Sequence, residues 1–378
     1  MIHTPTLLGY SSALLASIAF LMLALRPPER RLAWFAAPFA AGAMGFLFHA
    51  SPFGLTKEAG FTLGTGFISL CFAFGWQALR TFFGMPARWL LLLGPPGAWV
   101  LASPLLFEPF NLEVASALAR MGLIALYSAL AAQLLLGPKG ERLPSRFPLA
   151  MVFATAASVA CIALPLVGWL PKPLGAAPAQ GWAVAVLNAQ IVLEVLLASA
   201  LMVSMAKERA ALEFYEASIR DPLTTLYNRR FLEQRKNAWQ RTDLQEQRKR
   251  AFIYFDIDHF KRINDDYGHA LGDEVIVLAA RIAQRSVRKR DWVFRIGGEE
   301  FLCVLPDCDR QEARATAERL RTNFQEAALV IGGQPIEATL SAGVAVGIAG
   351  QTHVDDLIKL ADYHLYVAKQ QGRNRVVG

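Results

Sequence analysis

The sequence predicts an all-α membrane bundle of about seven spans, followed by an α/β cytoplasmic domain. Three observations carry this. Of the 378 residues, 54% are hydrophobic and only 18% charged, which does not suit a soluble protein with one core. Charges are sparse before about residue 205, where the chain breaks into apolar runs of roughly 20 residues, the length of a membrane-spanning helix. Beyond residue 221 the apolar runs shorten and alternate with amphipathic stretches, the pattern of strands and helices.

The expected spans lie near 5–25, 32–50, 61–80, 89–107, 112–136, 149–170 and 181–205. Pro95, Pro96 and Pro104 interrupt the fourth. The first does not read as a cleaved leader, because Met1–Tyr10 carries no Lys or Arg and no small-residue cleavage site follows. Arg26, Arg30 and Arg31 fall in the first loop, Arg80 and Arg88 around the third, and Lys139, Arg142 and Arg146 in the fifth. The even loops offer only Lys57 and Lys172. Positive residues stay inside, so the odd loops are expected in the cytoplasm and the N-terminus outside. The net charge of +7 is explained partly by these flanks, and no nucleic-acid partner is expected.

Within the spans lie His49, Arg120, Gln133, Asn188, Gln190 and Glu194. Charges inside a membrane are expensive, so Arg120 and Glu194 are expected either to pair or to line a ligand-sensing cavity; a buried structural pair is the plainer reading. The four cysteines (Cys71, Cys161, Cys303 and Cys308) form no metal or disulfide pattern and are read as reduced. Residues 206–220 lack Gly and Pro and predict a stiff helix. Leu212, Tyr215 and Ile219 form a short seam that suits either a second chain or a single helix continuing the last span.

Asp221-Pro222 then starts a turn. Ala251–Phe255 reads as a buried strand delivering Asp256-Ile257-Asp258 at its end, a rigid place for a metal-binding carboxylate. Asp256 is the stronger metal candidate, and Asp258 reads as a strand end. Asp273 precedes an amphipathic run, where it suits a helix N-cap or, with Asn264, recognition of a base. Arg288-Lys289-Arg290-Asp291 is a cationic helix end. Arg295 to Phe301 reads as a hairpin in which Gly297 and Gly298 supply positive φ for a two-residue turn. Glu299 and Glu300 follow at once, suited to Mg²⁺ and phosphate, or to a solvated surface. Asp309 with Glu312 caps a helix to about Ala328, a strand follows around residues 339–346, and a last helix spans Val354 to Gln370. Lys369 and Arg373 at its end suit solvent or phosphate.

Read together, these motifs resemble the GGDEF family of diguanylate cyclases. The matches are Asp221-Pro222-Leu223-Thr224, Asn228-Arg229-Arg230, Asp256 to Lys261, Ile263-Asn264-Asp265, Gly268-His269, Gly272-Asp273, Gly297 to Phe301, Ser341 with Gly343-Val344-Ala345, and Ala361-Asp362 through Gly372-Arg373-Asn374. Several ordered motifs in one region are far more specific than any single one. Thr225 departs from the usual Gly, and Ala342 from a common Ile or Val. The resemblance implies a nucleotidyl-cyclase, polymerase-palm-like fold with a mostly antiparallel sheet over residues 221–378. The membrane half resembles no named family; its apolar runs read as a seven-span sensory domain at 1–205, joined by a signalling helix at 206–220.

The GGDEF resemblance also implies condensation of two GTP into cyclic di-GMP with release of pyrophosphate. In that reading Asp256, Glu299 and the Ile257 carbonyl bind Mg²⁺, with Mn²⁺ as an alternative, and Glu300 assists. Asn264 and Asp273 bind guanine. His259, Phe260, Gly297 and Gly298 lie along the substrate, while Lys261, Lys369 and Arg373 neutralise phosphate. Two such domains must meet as a homodimer. Arg288, Asp291 and Arg295 resemble an inhibitory product site. The implied location is a bacterial cytoplasmic membrane. A competing reading is an inactive membrane receptor for cyclic di-GMP, which would be expected to lack acids that this chain keeps; a transporter with a regulatory domain ranks last.

Overall fold

The computed structural model describes residues 4–24, 34–50, 54–137, 143–246, 249–348 and 352–378. Arg26, Arg30 and Arg31 of the first loop, and Lys139 and Arg142 of the fifth, lie outside these. The chain divides into two compact units, Met1–Ala211 and Leu212–Gly378.

The first unit is helical: α1 (Thr4–Ala24), α2 (Ala36–His49), α3 (Lys57–Phe82), α4 (Trp89–Ala102), α5 (Glu113–Leu136), α6 (Arg146–Ala163) and α7 (Gly181–Ser218). Among the described residues, six helical stretches are long and apolar enough to cross a membrane. The second expected span differs: α2 is apolar but has only 14 residues. Pro95 and Pro96 sit inside α4, and Ser103–Phe107 continues it as a π-helical turn closed by Glu108 N–H on the Ser103 carbonyl. That wider turn carries Pro104 without ending the helix. Helix α7 runs 38 residues without a break, so the segment after residue 205 continues the preceding span as one helix.

The pairing expected for Arg120 and Glu194 does not form. Arg120 donates from Nη2 to the Gly175 carbonyl and lies over the Phe61 ring at 5.4 Å. Glu194 accepts from Gln190 Nε2 at 3.1 Å and lines a separate, largely apolar cavity with Cys71 and Phe153. Helix spacing explains this: Gln190 stands one turn before Glu194 and satisfies it locally. All four cysteines are free thiols.

The second unit is built on a six-stranded mixed sheet, β1 (Tyr227–Asn228), β2 (Lys249–Ile257), β3 (Trp292–Arg295), β4 (Glu300–Pro306), β7 (Leu340–Ile348) and β8 (Val376–Val377), in the order β1-β3-β4-β2-β7-β8. A small ribbon, β5 (Val330–Ile331) and β6 (Gln334–Pro335), stands apart. The four central strands pair antiparallel and the two short edges parallel. Around the sheet lie α8 (Arg229–Glu246), α9 (Phe260–Tyr267), α10 (His269–Ser286), α11 (Arg310–Ala327) and α12 (Val354–Gln370). Asp309 caps α11 by accepting from Glu312 N at 2.9 Å, as its spacing predicts.

Strand β2 is central, and helices cover both of its faces. Ala251, Ile253, Phe255 and Ile257 pack with Val275 and Ala279 of α10 and Leu320 and Phe324 of α11. Phe252 and Tyr254 pack with Leu357 and Leu365 of α12 and Trp239 of α8. This two-residue alternation explains the unbroken apolar run. Asp256 follows Phe252 and Tyr254 on the α12 face.

Candidate active site

The sheet register brings the acids together. Asp256 stands opposite Glu300 on β4 and Ser341 on β7. It is only 4% exposed. From the last turn of α12, Lys369 Nζ reaches Asp256 Oδ1 at 2.7 Å. Burial pushes the Asp256 carboxyl up to about 6; Lys369 opposes that shift, while Glu299 and Glu300 add to it. The site is thus a strand-end cluster of acids held by one ammonium.

Asp258, two residues on, is spent on structure. It accepts from Ser341 Oγ at 2.7 Å, Thr339 Oγ1 at 2.8 Å and Asn374 N at 3.0 Å. It ties the end of β2 to β7 and to the turn after α12. His259 follows in the left-handed region, φ 55°, where its carbonyl accepts from Arg262 N and Ile263 N and starts α9. Phe260 is buried and Lys261 is exposed.

The proposed base ligands lie near the α9–α10 junction. Asn264 Oδ1 is buried and has no partner among the described residues. A Cβ at residue 272 would collide with that oxygen, so Gly272 is what lets α10 pass so close. An unpaired acceptor of this kind costs free energy until a donor reaches it, and a base amino group is such a donor. Asp273 is exposed. The N-cap expected of it is corrected: α10 begins four residues earlier, at His269, and Gly268, φ 83°, occupies the cap. Gly268 ends α9 and opens α10, leaving no room for a later start.

The hairpin is also built differently from the expected two-residue turn. Neither Gly297 nor Gly298 has positive φ. The loop closes through Ile296 N on the Glu300 carbonyl at 2.8 Å, with Gly297 N on the same oxygen at 3.4 Å. A Cβ at Gly297 would lie 2.7 Å from Glu300 Oε2, the far end of a flexible side chain that would have to shift. Gly298 faces open space. Glu299 and Glu300 are half-buried.

Arg295 is committed within its own chain. It donates to the Gly298 carbonyl from Nε at 3.1 Å and Nη2 at 2.8 Å, and from Nη1 to Asp221 at 2.9 and 3.1 Å. Asp221 also accepts from Thr224 N and Oγ1. Burial pushes the Asp221 carboxyl up, but hydrogen bonds from Thr224 and Arg295 outweigh it and hold it below its usual value. Asp221 therefore braces the hairpin, a role that sequence reading did not reach. Arg288 pairs with Glu312 at 3.0 Å, and its N–H donates to Asp291 Oδ2 at 2.7 Å. Asp291 Oδ1 is buried without a partner among the described residues, and burial raises that carboxyl. Arg373 has φ 62° just past α12 and makes no ion pair among the described residues.

Residues 218–375 match the family model described as "Diguanylate cyclase, GGDEF domain". The C-terminal unit is a GGDEF domain. YhcK of Bacillus subtilis, an uncharacterized protein, is 42% identical over 158 residues, covering 41% of this chain and 44% of YhcK. Diguanylate cyclase DosC of Escherichia coli is 39% identical over 160 residues, covering 41% of this chain and 34% of DosC. This chain thus spans less than half the length of either relative. Among solved structures, the coiled coil and GGDEF domain of DgcB from Caulobacter crescentus, in complex with c-di-GMP, aligns with 49% of this chain and 98% of its own, at 26% identity and a TM-score of 0.46.

Among the described residues, no group of three or more His, Cys, Asp and Glu side chains is placed so that it could hold a metal ion. The donor set still suits a hard divalent cation. Asp256, Glu299, Glu300 and the Ile257 carbonyl are all oxygen donors, and the buried Asp256 already draws a cation to itself. The sheet register sets Asp256 opposite Glu300, Lys369 reaches Asp256, and Asn264 and Asp273 lie on α9 and α10.

Proposed function

We propose that the chain is a membrane-bound diguanylate cyclase that joins two GTP into cyclic di-GMP. In each of two condensations a 3′-hydroxyl oxygen bonds to an α-phosphorus, the bond to the pyrophosphate oxygen breaks, and the hydroxyl proton leaves to base or water. The observation that carries this reading is Asp256, set opposite Glu300 across the sheet and met by Lys369, inside a GGDEF domain.

Bound to Asp256, Glu299 and the Ile257 carbonyl, Mg²⁺ or Mn²⁺ would acidify the attacking hydroxyl and offset phosphate charge. The chain's own residues do the rest. Asn264 accepts from guanine and Asp273 takes its N–H groups. His259, Phe260 and the Gly297–Gly298 backbone shape the phosphate path. Lys261 and Arg373 neutralise phosphate, and Lys369 moves between Asp256 and phosphate as GTP arrives. Each domain holds one GTP, so two chains must face each other about a two-fold axis. The helical unit anchors the enzyme in the cytoplasmic membrane with its N-terminus outside, and α7 carries its state to the cyclase.

The test is full-length protein in nanodiscs with GTP and Mg²⁺, assayed for cyclic di-GMP by mass spectrometry. Wild type is expected to make product, and Glu299→Gln to lose about 100-fold or more. Equal product from both would end the proposal. Product inhibition at Arg288 and Asp291 is supported by the unpaired Asp291 oxygen. Arg288→Ala is expected to raise the inhibitory concentration of cyclic di-GMP about tenfold or more. An unchanged dose–response would remove that site.

A further inference from the structure

We infer that the helical unit carries a binding site for a free α-amino acid with an apolar side chain, distinct from the cyclase site. A cavity of about 700 Å³ opens among residues from three separated places: Lys57 and Glu58 in the first turn of α3, Glu108 beyond the π-helical turn, and Lys172 before α7. The first pair directly follows the second loop of the chain, and Glu108 and Lys172 lie in the fourth and sixth. Three loops that alternate along the sequence converge on one end of the bundle, and charge bias assigns that end to the outside of the cell.

The deepest polar group is Arg120, which is 3% exposed. Its Nη2 donates to the Gly175 carbonyl, but its Nε is buried with no partner among the described residues. A guanidinium left with an idle donor on a cavity wall is half of a carboxylate site. The charges around it balance. Lys172 is taken by Glu113 at 3.0 Å. That leaves Arg120 and Lys57 against Glu58 and Glu108. Glu108 Oε1 already accepts from Ser103 Oγ at 3.0 Å and Thr62 Oγ1 at 3.4 Å, which fixes its carboxylate in place. A wall with fixed acid as well as idle base selects a zwitterion over a simple anion. Its carboxylate would meet Arg120 and its ammonium Glu108 or Glu58. Phe61 and Phe107 supply apolar wall for the side chain. Methyl-sized up to aromatic side chains fit the volume.

The experiment is isothermal titration calorimetry on the full-length chain in nanodiscs, with alanine, leucine, methionine and phenylalanine as probes. Two analogues lack one charge each: 3-phenylpropanoate has no ammonium and phenethylamine no carboxylate. At least one amino acid is expected to bind saturably. If phenylalanine binds, each analogue should bind about tenfold more weakly or worse, since a charged partner is left unpaired. Arg120→Gln should abolish binding. Because that buried change could also disturb the fold, Glu58→Gln at the exposed rim serves as the second variant, expected to weaken the amino acid but not 3-phenylpropanoate. No saturable heat from any of the four amino acids overturns the inference, as does 3-phenylpropanoate binding as tightly as phenylalanine. Neither readout depends on cyclase activity.

Discussion

The two units solve opposite solvent problems. In Met1–Ala211 large apolar side chains face outward: Leu90 is 84% exposed and Trp169 86%. Polar groups such as Gln77, Arg120 and Asn188 are buried instead. In Leu212–Gly378 the buried core is a sheet closed on both faces, and its buried acids, Asp256 and Asp258, are each met by named partners. An inside-out surface is stable only where lipid replaces water, so the exposed leucines of the first unit suit the membrane location proposed above. The comparison also says where chemistry belongs. Under the proposed function, phosphate transfer uses fixed carboxylates at the strand ends of the sheet, whereas a sensor can rely on a few buried charges.

The strongest way to break this comparison is to place the same charge on each surface. Leu197→Lys puts an ammonium on the exposed face of α7 within its apolar stretch and is expected to cost about 2.5–3.5 kcal/mol of insertion, read as loss of protein from carbonate-washed membranes. Leu360→Lys on exposed α12 is expected to stay within about 0.5 kcal/mol in thermal unfolding. Equal effects would erase the distinction.

A smaller effect sharpens the second unit. Lys369→Met leaves Asp256 buried without its cation, and is expected to cost about 1–2 kcal/mol at pH 8. At pH 5, below the raised Asp256 value of about 6, the carboxyl is already protonated and the loss should shrink. Added Mg²⁺ should restore part of it at pH 8 only. A loss independent of pH would mean that Lys369 acts by packing alone.

The smallest effect concerns the hairpin brace. The Asp221 carboxyl is held low in the folded chain, so its contribution is present above the unfolded value of about 4 and fades as pH falls through the folded one. Asp221→Asn is expected to destabilise by about 1 kcal/mol at pH 7 and by less at pH 3, measured by thermal unfolding of the sheet unit. A constant difference across that range would contradict the brace.

Much of this was legible in the residues, and unevenly so. The end of β2, the cap at Asp309 and helix α12 follow from period and turn chemistry that act within a few residues. The positive φ expected at Gly297 and Gly298, and the cap expected at Asp273, failed because loop length and helix start depend on neighbours outside the motif. Lys369 on Asp256, and Arg295 on Asp221, join residues far apart in sequence; only the strand order brings them together. In the helical unit, apolar length was readable, but the pairing of Arg120 and Glu194 was not, because helix rotation decides which polar groups meet.

The most direct test of the two-solvent account is protease treatment of sealed membrane vesicles of each orientation. The account predicts that inside-out vesicles release a soluble fragment close to Leu212–Gly378 while the helical unit stays with the membrane, and that right-side-out vesicles release none of it. Release of the fragment from right-side-out vesicles, or extraction of the whole chain by carbonate, would contradict it.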